Sequence, residues 1–340
     1  MRKLARILNG LLTGILTGLG VVLYFSGIGR AIRFARRKTP RVLMYHACEP
    51  EEIGFTRGLS INTPPARFSA QLDFLARHYA IVSLNDLRGA EIPDCAVAIT
   101  FDDGYRSVYT HAFPRLKARA FPATVFLVSE ALNNRGLVWL NGIAWYYHRH
   151  PESAGEILAD RLGLARGASW DELLDALIAG YDPALMAELD EALGAKLGIS
   201  AAEAARREGL YLEDAELDEM ARHGITFGNH TASHPNLGRL SRDAQHAQLT
   251  AAGEMIRNVP GAIDALAYPF GIFNDATQAI AEELGYSMRL EVKGDNRPLD
   301  LRRIARLNVT SDSPAVLFAK MEVVYPAKAY LSRLARRIGR

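Results

Sequence analysis

The chain has 340 residues, 49% of them hydrophobic and 23% charged, which suits a folded chain with a sizeable core and excludes bulk disorder. Its two cysteines, Cys48 and Cys95, exclude a disulfide scaffold and a cysteine-rich metal site, and two reduced thiols are expected. The net charge of +2 hides an uneven distribution: residues 1–41 carry nine Lys and Arg and no acid, residues 321–340 carry five and one, and the stretch between holds 26 basic against 37 acidic residues. An acidic body argues against a nucleic-acid partner, while basic termini suit an anionic lipid surface.

Ile7 to Gly29 contains no charged side chain. A helix of that length covers about 35 Å, enough to cross a hydrocarbon core of about 30 Å. Arg2, Lys3 and Arg6 precede it, and Arg30, Arg33, Arg36, Arg37 and Lys38 follow it. Residues 1–38 are therefore expected to form a single-pass transmembrane anchor in a bacterial inner membrane. A cleaved signal peptide fits less well, because its apolar region is usually only about 7–15 residues long. The more basic downstream flank favours a cytoplasmic catalytic domain. Gly10, Gly14 and Gly18 fall four apart on one helix face, which would let a second helix approach and makes self-association a candidate property.

From residue 41 onward, short apolar runs alternate with helix-like stretches. Strands are expected at Arg41–Tyr45, Cys95–Phe101, Ala123–Val128, Gly224–Phe227, Ala265–Tyr268 and Tyr286–Leu290. Helices are expected at 66–78, 106–119, 213–223, 241–257 and 274–284, the first with Phe68, Leu72 and Leu75 at helical spacing. Such alternation implies parallel pairing, and a distorted (β/α) barrel is the natural closed form. The barrel domain is expected over 39–315, with an Ala-, Leu- and Glu-rich helical insertion at 151–210 over one rim. Residues 316–340 follow as a basic amphipathic tail, with Arg333, Arg336, Arg337 and Arg340 among Leu331, Leu334 and Ile338.

Polar residues mark the strand ends. His46 follows RVLMY, Asp102-Asp103-Gly104 follows AVAITF, His230 follows ITFGN, and Tyr268-Pro269-Phe270-Gly271 ends the strand near Ala265. In a parallel barrel these ends share one face, where active sites are built. His230 and His234 are four apart and face one way if the segment turns helically. Two imidazoles and a carboxylate leave coordination positions open, the pattern of a catalytic metal site. A metal there would generate a usable water nucleophile, and a second carboxylate could act as general base.

The segments Thr100-Phe101-Asp102-Asp103-Gly104-Tyr105 and His230-Thr231-Ala232-Ser233-His234-Pro235 resemble the first two motifs of the polysaccharide deacetylase family, the NodB-homology domain. The resemblance covers roughly residues 40–310 and implies a barrel of about seven strands. It implies Asp102 as catalytic base and Asp103, His230 and His234 as ligands of a divalent metal, zinc first, with cobalt, nickel or iron as alternatives. The family's third motif usually reads Arg-x-Pro-Tyr; here Ala267-Tyr268-Pro269-Phe270 stands in its place, so the arginine that orients the base is missing. The Tyr-Pro-Phe-Gly form is similar to the poly-N-acetylglucosamine deacetylase branch, whose permuted motif order makes His46, in Leu43-Met44-Tyr45-His46, the candidate general acid. Tyr105, through a backbone N–H, and Tyr268, Pro269 and Phe270 are candidates for contact with substrate or oxyanion.

The implied reaction is removal of N-acetyl groups from an amino sugar in a polysaccharide or a lipid-linked glycan. Trp139, Trp145, Tyr146 and Tyr147 could stack on sugar rings, although core packing is the plainer expectation. His111, His148, His150 and His223 are read as ordinary surface residues. Two rivals stand beside this reading. A non-haem iron oxygenase shares the ligand set but has no use for a second aspartate. A membrane-tethered glycan-binding module, catalytically degenerate, would explain the missing arginine.

Overall fold

In the computed structural model of the chain, residues 2–292 and 299–338 are described, with the side chains of 9–292, 299–332 and 334. Nine short strands are present among them: β1 (Arg41–Tyr45), β2 (Ala80–Val82), β3 (Ala96–Phe101), β4 (Ala123–Leu127), β5 (Ile225–Asn229), β6 (Ala262–Ala267), β7 (Met288–Glu291), β8 (Ile304–Ala305) and β9 (Leu307–Asn308). They pair in parallel in the order β8-β7-β6-β5-β4-β3-β1-β9, with β2 beside the start of β3. Strands β8 and β9 are two pieces of one extended segment interrupted only at Arg306. One piece pairs with β7 and the other with β1, so a single segment joins both edges and nearly closes the barrel.

The strands β1 and β3 are buried along their whole length, as their unbroken apolar runs require when both faces of a parallel strand are covered. Their register pairs Tyr45 with Phe101. The next residues, His46 and Asp102, therefore emerge side by side, and the Asp102 N–H donates to the Tyr45 carbonyl at 2.9 Å. Outside this pair, the helix Pro65–His78 sets Phe68 against Tyr45 and Phe101, with ring centroids 5.2 and 5.7 Å apart.

The helical insertion starts earlier than expected, at Trp139. Its five helices, Trp139–Arg149, Pro151–Arg161, Trp170–Ala179, Pro183–Leu197 and Ala201–Glu208, enclose a core of their own around Leu158, Leu173, Leu177, Leu189 and Leu193. Trp145 and Tyr146 belong to that core. Trp145 stacks on Phe55 at 5.5 Å, and Tyr146 accepts a hydrogen bond from the Ala201 N–H. Tyr147 stacks on Trp170 at 4.7 Å. His148, expected on the surface, is half-buried against Trp170. Cys48 and Cys95 are both free thiols.

The apolar N-terminal stretch is not one continuous helix. It forms helices Arg2–Phe25 and Ile28–Ala35, broken at Gly27, whose φ of 79° only glycine adopts readily, and bent by 107°. Among the described residues no single helix is long and apolar enough to cross a membrane, though the bent pair together passes on length and composition. One face of the first helix docks on the body. A side chain at Gly20 would collide with Ala319, and Leu23 and Tyr24 pack against the main core. The opposite face leaves Leu11, Ile15, Leu19, Val22 and Phe25 exposed. Gly10, Gly14 and Gly18 have nothing within 4 Å, so the close approach seen here uses Gly20 instead.

The hairpin is latched by charge. Glu322, buried in a wide π turn (Lys320–Val324), pairs with Arg36 and Arg41, both at 2.7 Å, and accepts from the Tyr79 hydroxyl at 2.9 Å. The tail continues as the helix Tyr325–Ile338, with Leu331 and Leu334 exposed. The side chains of Arg333, Arg336, Arg337, Ile338 and Arg340, like those of Arg2, Lys3 and Arg6, lie outside the described residues.

Candidate active site

The turn after β3 sets the site. Asp103 (φ 71°) and Gly104 (φ 74°) both take the left-handed conformation, which folds the chain back sharply and delivers two successive carboxylates to one place. A side chain at Gly104 would press on Leu127 at 3.1 Å. Asp102 and Asp103 are 2% and 6% exposed, so each carboxylate needs a partner close at hand.

His230 and His234 converge without forming a helix. The loop after β5 is strained: Thr231 has φ 72° and His234 φ 59°, costly values for a β-branched and a bulky residue. Side chains hold it in shape. Asn229 Oδ1 accepts from Thr231 N–H at 2.6 Å, Thr231 Oγ1 accepts from His234 N–H at 3.1 Å, and Gln248 Oε1 accepts from Ala232 and Ser233 N–H at 3.1 and 3.0 Å. Trp139 donates its indole N–H to the His234 carbonyl at 2.9 Å, so this aromatic residue braces the loop.

His230 Nδ1 lies 2.9 Å from the Ala267 carbonyl oxygen and must donate its proton there. That fixes the tautomer and leaves Nε2 as a lone pair. Nε2 faces Asp103 Oδ1 at 3.4 Å, and His234 Nε2 faces the same oxygen at 3.3 Å. Asp103 Oδ1 is buried with no hydrogen-bond donor among the described residues. Acceptor atoms aimed at one another repel unless a proton or cation lies between them. The three ligand atoms fall within 4.8 Å of one another, so their number, chemistry and spacing fit a divalent metal.

Asp102 is held by a residue that the sequence reading did not single out. Arg306, fully buried at the break between β8 and β9, donates through both terminal nitrogens to the two Asp102 oxygens at 2.6 and 2.7 Å. Its guanidinium lies over the Phe126 ring at 5.4 Å. The arginine absent from the Ala267-Tyr268-Pro269-Phe270 stretch thus has a substitute from the break between β8 and β9. The only hint in the sequence is a cation inside the apolar run Ile304-Ala305-Arg306-Leu307.

Burial and charge oppose each other throughout the cluster. Burial pushes the Asp102 carboxyl up, but Arg306 first, then His230 and His46, bring it below the usual carboxylate range. Burial likewise opposes ionisation of Asp103, and His234, His230 and His46 hold it far below that range. Burial lowers His234 to about 4, whereas Asp102 and Asp103 outweigh burial at His230 and raise it. His46 is lowered, chiefly by burial, and its Nδ1 has no partner among the described residues.

These groups open into a cleft of about 220 Å³ that also includes Met44, Tyr105, Phe270 and Asn308. Phe270 packs edge-on against His234 at 4.7 Å. Tyr105 lines the cleft, its hydroxyl tied to Asn141. Tyr268 and Pro269, expected beside the substrate, are buried behind it, with Tyr268 stacked on Phe273 at 4.5 Å.

Fold and site together define a parallel (β/α) barrel with a buried aspartate–histidine cluster at its carboxyl rim. The family model for polysaccharide deacetylase matches residues 90–289, and the chain belongs to the polysaccharide deacetylase family. Its curated relatives include the putative polysaccharide deacetylase YxkH of Bacillus subtilis, 21% identical over 257 residues, which are 73% of this chain and 62% of that protein's length. Another is the poly-beta-1,6-N-acetyl-D-glucosamine N-deacetylase of Escherichia coli, 37% identical over 87 residues but only 12% of that protein's length. The solved deacetylase PplD of Streptococcus pyogenes, in complex with acetate, and IcaB of Ammonifex degensii share the fold. Each has a TM-score of 0.55 and aligns over 84% of this chain and 98% of its own, at 21% and 22% identity respectively.

Proposed function

We propose that the protein is a metal-dependent hydrolase that removes N-acetyl groups from an acetylated amino sugar in a polysaccharide or lipid-linked glycan. The observation that carries this reading is the convergence of Asp103, His230 and His234 on one point, beside an Asp102 that Arg306 keeps ionised. Family membership supports carbohydrate deacetylation, and the E. coli relative's substrate supports an N-acetylhexosamine.

Asp103, His230 and His234 would hold the cation, zinc in the first instance, with cobalt, nickel or iron as alternatives. Bound there, it would supply Lewis acidity and lower the pKa of an attacking water. Asp102 is the base that takes a proton from that water, and Arg306 holds its carboxylate in the ionised, correctly turned state. The Tyr105 backbone N–H is the donor assigned to the developing oxyanion, and Phe270 bounds the acyl site. His46 is the acid that gives a proton to the departing amine. A glycan-binding module without activity had the missing arginine as its support, and the Arg306–Asp102 pair removes that support.

The exposed stripe Leu11, Ile15, Leu19, Val22 and Phe25, followed by Arg30, Arg33, Arg37 and Lys38, supports attachment to an anionic bilayer. A second copy meeting Gly10, Gly14 and Gly18 is the self-associated form of that attachment. The test of the activity is acetate release by purified full-length protein from N-acetylglucosamine oligomers and lipid-linked acetyl-sugars, with and without chelator. Release that chelator abolishes and zinc restores is expected. Release that chelator leaves untouched would overturn the metal's role, and no release from any substrate would overturn the activity.

A further inference from the structure

The cleft wall facing the metal ligands comes largely from the insertion and is apolar. Val138 and Leu140 line it from the insertion's entry, Leu174 and Ile178 from the helix Trp170–Ala179, and Leu59 and Ile61 from the loop after β1. The lining helix has a fixed rotation. Leu173 and Leu177 are fully buried in the insertion core, which turns Leu174 and Ile178, one position on, toward the cleft. Both ends of the helix are tied to the barrel side. Trp170 donates its indole N–H to the Gly58 carbonyl at 2.9 Å, and Asn236, two residues past His234, donates to the Ile178 carbonyl at 2.7 Å.

This wall offers little to a sugar. Asn141 is occupied by Phe55, Tyr105 and Tyr211, which leaves Ser60 as the polar side chain among the six apolar ones. An acetyl methyl would cover only a small part of such a surface.

We infer that the cleft accepts an N-acyl group longer than acetyl, with the chain running along Leu174 and Ile178 and the sugar ring toward the mouth. This rests on the hydrolase reading above and names its substrate class more closely: an N-acylated amino sugar carrying a short-to-medium acyl chain. The chemistry is unchanged. Water oxygen bonds to the acyl carbon, the carbon–nitrogen bond breaks, a proton passes to the departing nitrogen, and a carboxylic acid and a free amine result.

The experiment uses the full-length protein loaded with zinc and glucosamine oligomers carrying N-acetyl, N-propionyl, N-butyryl or N-hexanoyl groups, with amine release as readout. Each methylene buried on the apolar wall is expected to raise kcat/KM by about two- to fourfold up to butyryl. Leu174→Phe and Ile178→Phe, which narrow the chamber, are expected to lower the butyryl-to-acetyl ratio at least tenfold, with thermal melts confirming that they fold. A wild-type butyryl-to-acetyl ratio below one overturns the inference while leaving the deacetylase reading intact, as does a ratio unmoved in folded variants. No amine from any of the four overturns both. Should neither variant fold, the wild-type ratio alone decides.

Discussion

Replacing Arg306 by methionine removes both N–H donors from the Asp102 carboxylate and leaves side-chain bulk in place. The pair is bidentate at 2.6 and 2.7 Å, with Arg306 fully buried and Asp102 2% exposed, so water cannot take over the lost contacts. Breaking a buried pair on one side costs about 3–5 kcal/mol, which would lower the melting temperature on the order of 10 °C. The carboxyl escapes part of that cost by taking up a proton, because burial, the largest influence on Asp102, then meets less opposition. Each unit of pKa rise is worth about 1.4 kcal/mol. The sign follows. Held low in the folded protein, Asp102 stabilises it above its unfolded pKa of about 3.9, and that stability fades as pH falls through the folded value. In Arg306→Met the acid limbs of both stability and kcat/KM move to higher pH, and kcat/KM at neutral pH falls by roughly 10²–10⁴. The assay is a pH–rate profile of acetate release, paired with thermal melts. Added to Asp102→Asn, the Arg306 change should cost little further activity, since both act on one group. An acid limb in place, with kcat/KM within threefold of the parent, would refute the reasoning.

Three further outcomes follow from the same structure. His46→Ala should reduce turnover by about 10²–10⁴ with metal content unchanged, and near-normal turnover would remove His46 from the reaction. Asp103→Asn and His234→Ala should each lose bound zinc in elemental analysis while keeping the barrel's circular dichroism; full zinc occupancy in either would relocate the metal. Full-length protein should remain with membranes in fractionation and a version starting at Thr39 should not, the basic flank adding about 1 kcal/mol per residue near anionic lipid. Full-length protein in the soluble fraction would dismiss the attachment.

The barrel was legible in the sequence because its strands are unbroken apolar runs and its helices carry a 3.6-residue period. Asp102, Asp103 and His230 were legible because they stand at the ends of strands, which share a face in a parallel barrel, and His234 because it lies four residues past His230. The closing segment around Arg306 was not. Two residues of pairing on each side of a bend carry no period, and an arginine there reads as a break in the pattern until its carboxylate, 204 positions away, is brought to it. The convergence of the histidines depends on left-handed backbone at Thr231 and His234, held by Asn229 and Gln248, which no spacing rule for helices anticipates. At the N-terminus, composition determined an apolar stretch between basic flanks. Whether it ran straight was decided by Gly27 and by the docking of Gly20 on Ala319 and of Arg36 on Glu322, contacts that exist only once residues some 300 apart have folded together. Short-range pattern thus determined which elements form and which strand ends carry reactive side chains. Pairing of buried charges and the strained loops that aim them required the tertiary structure, because their partners are distant in sequence and the stabilisation that pays for the strain comes from those partners.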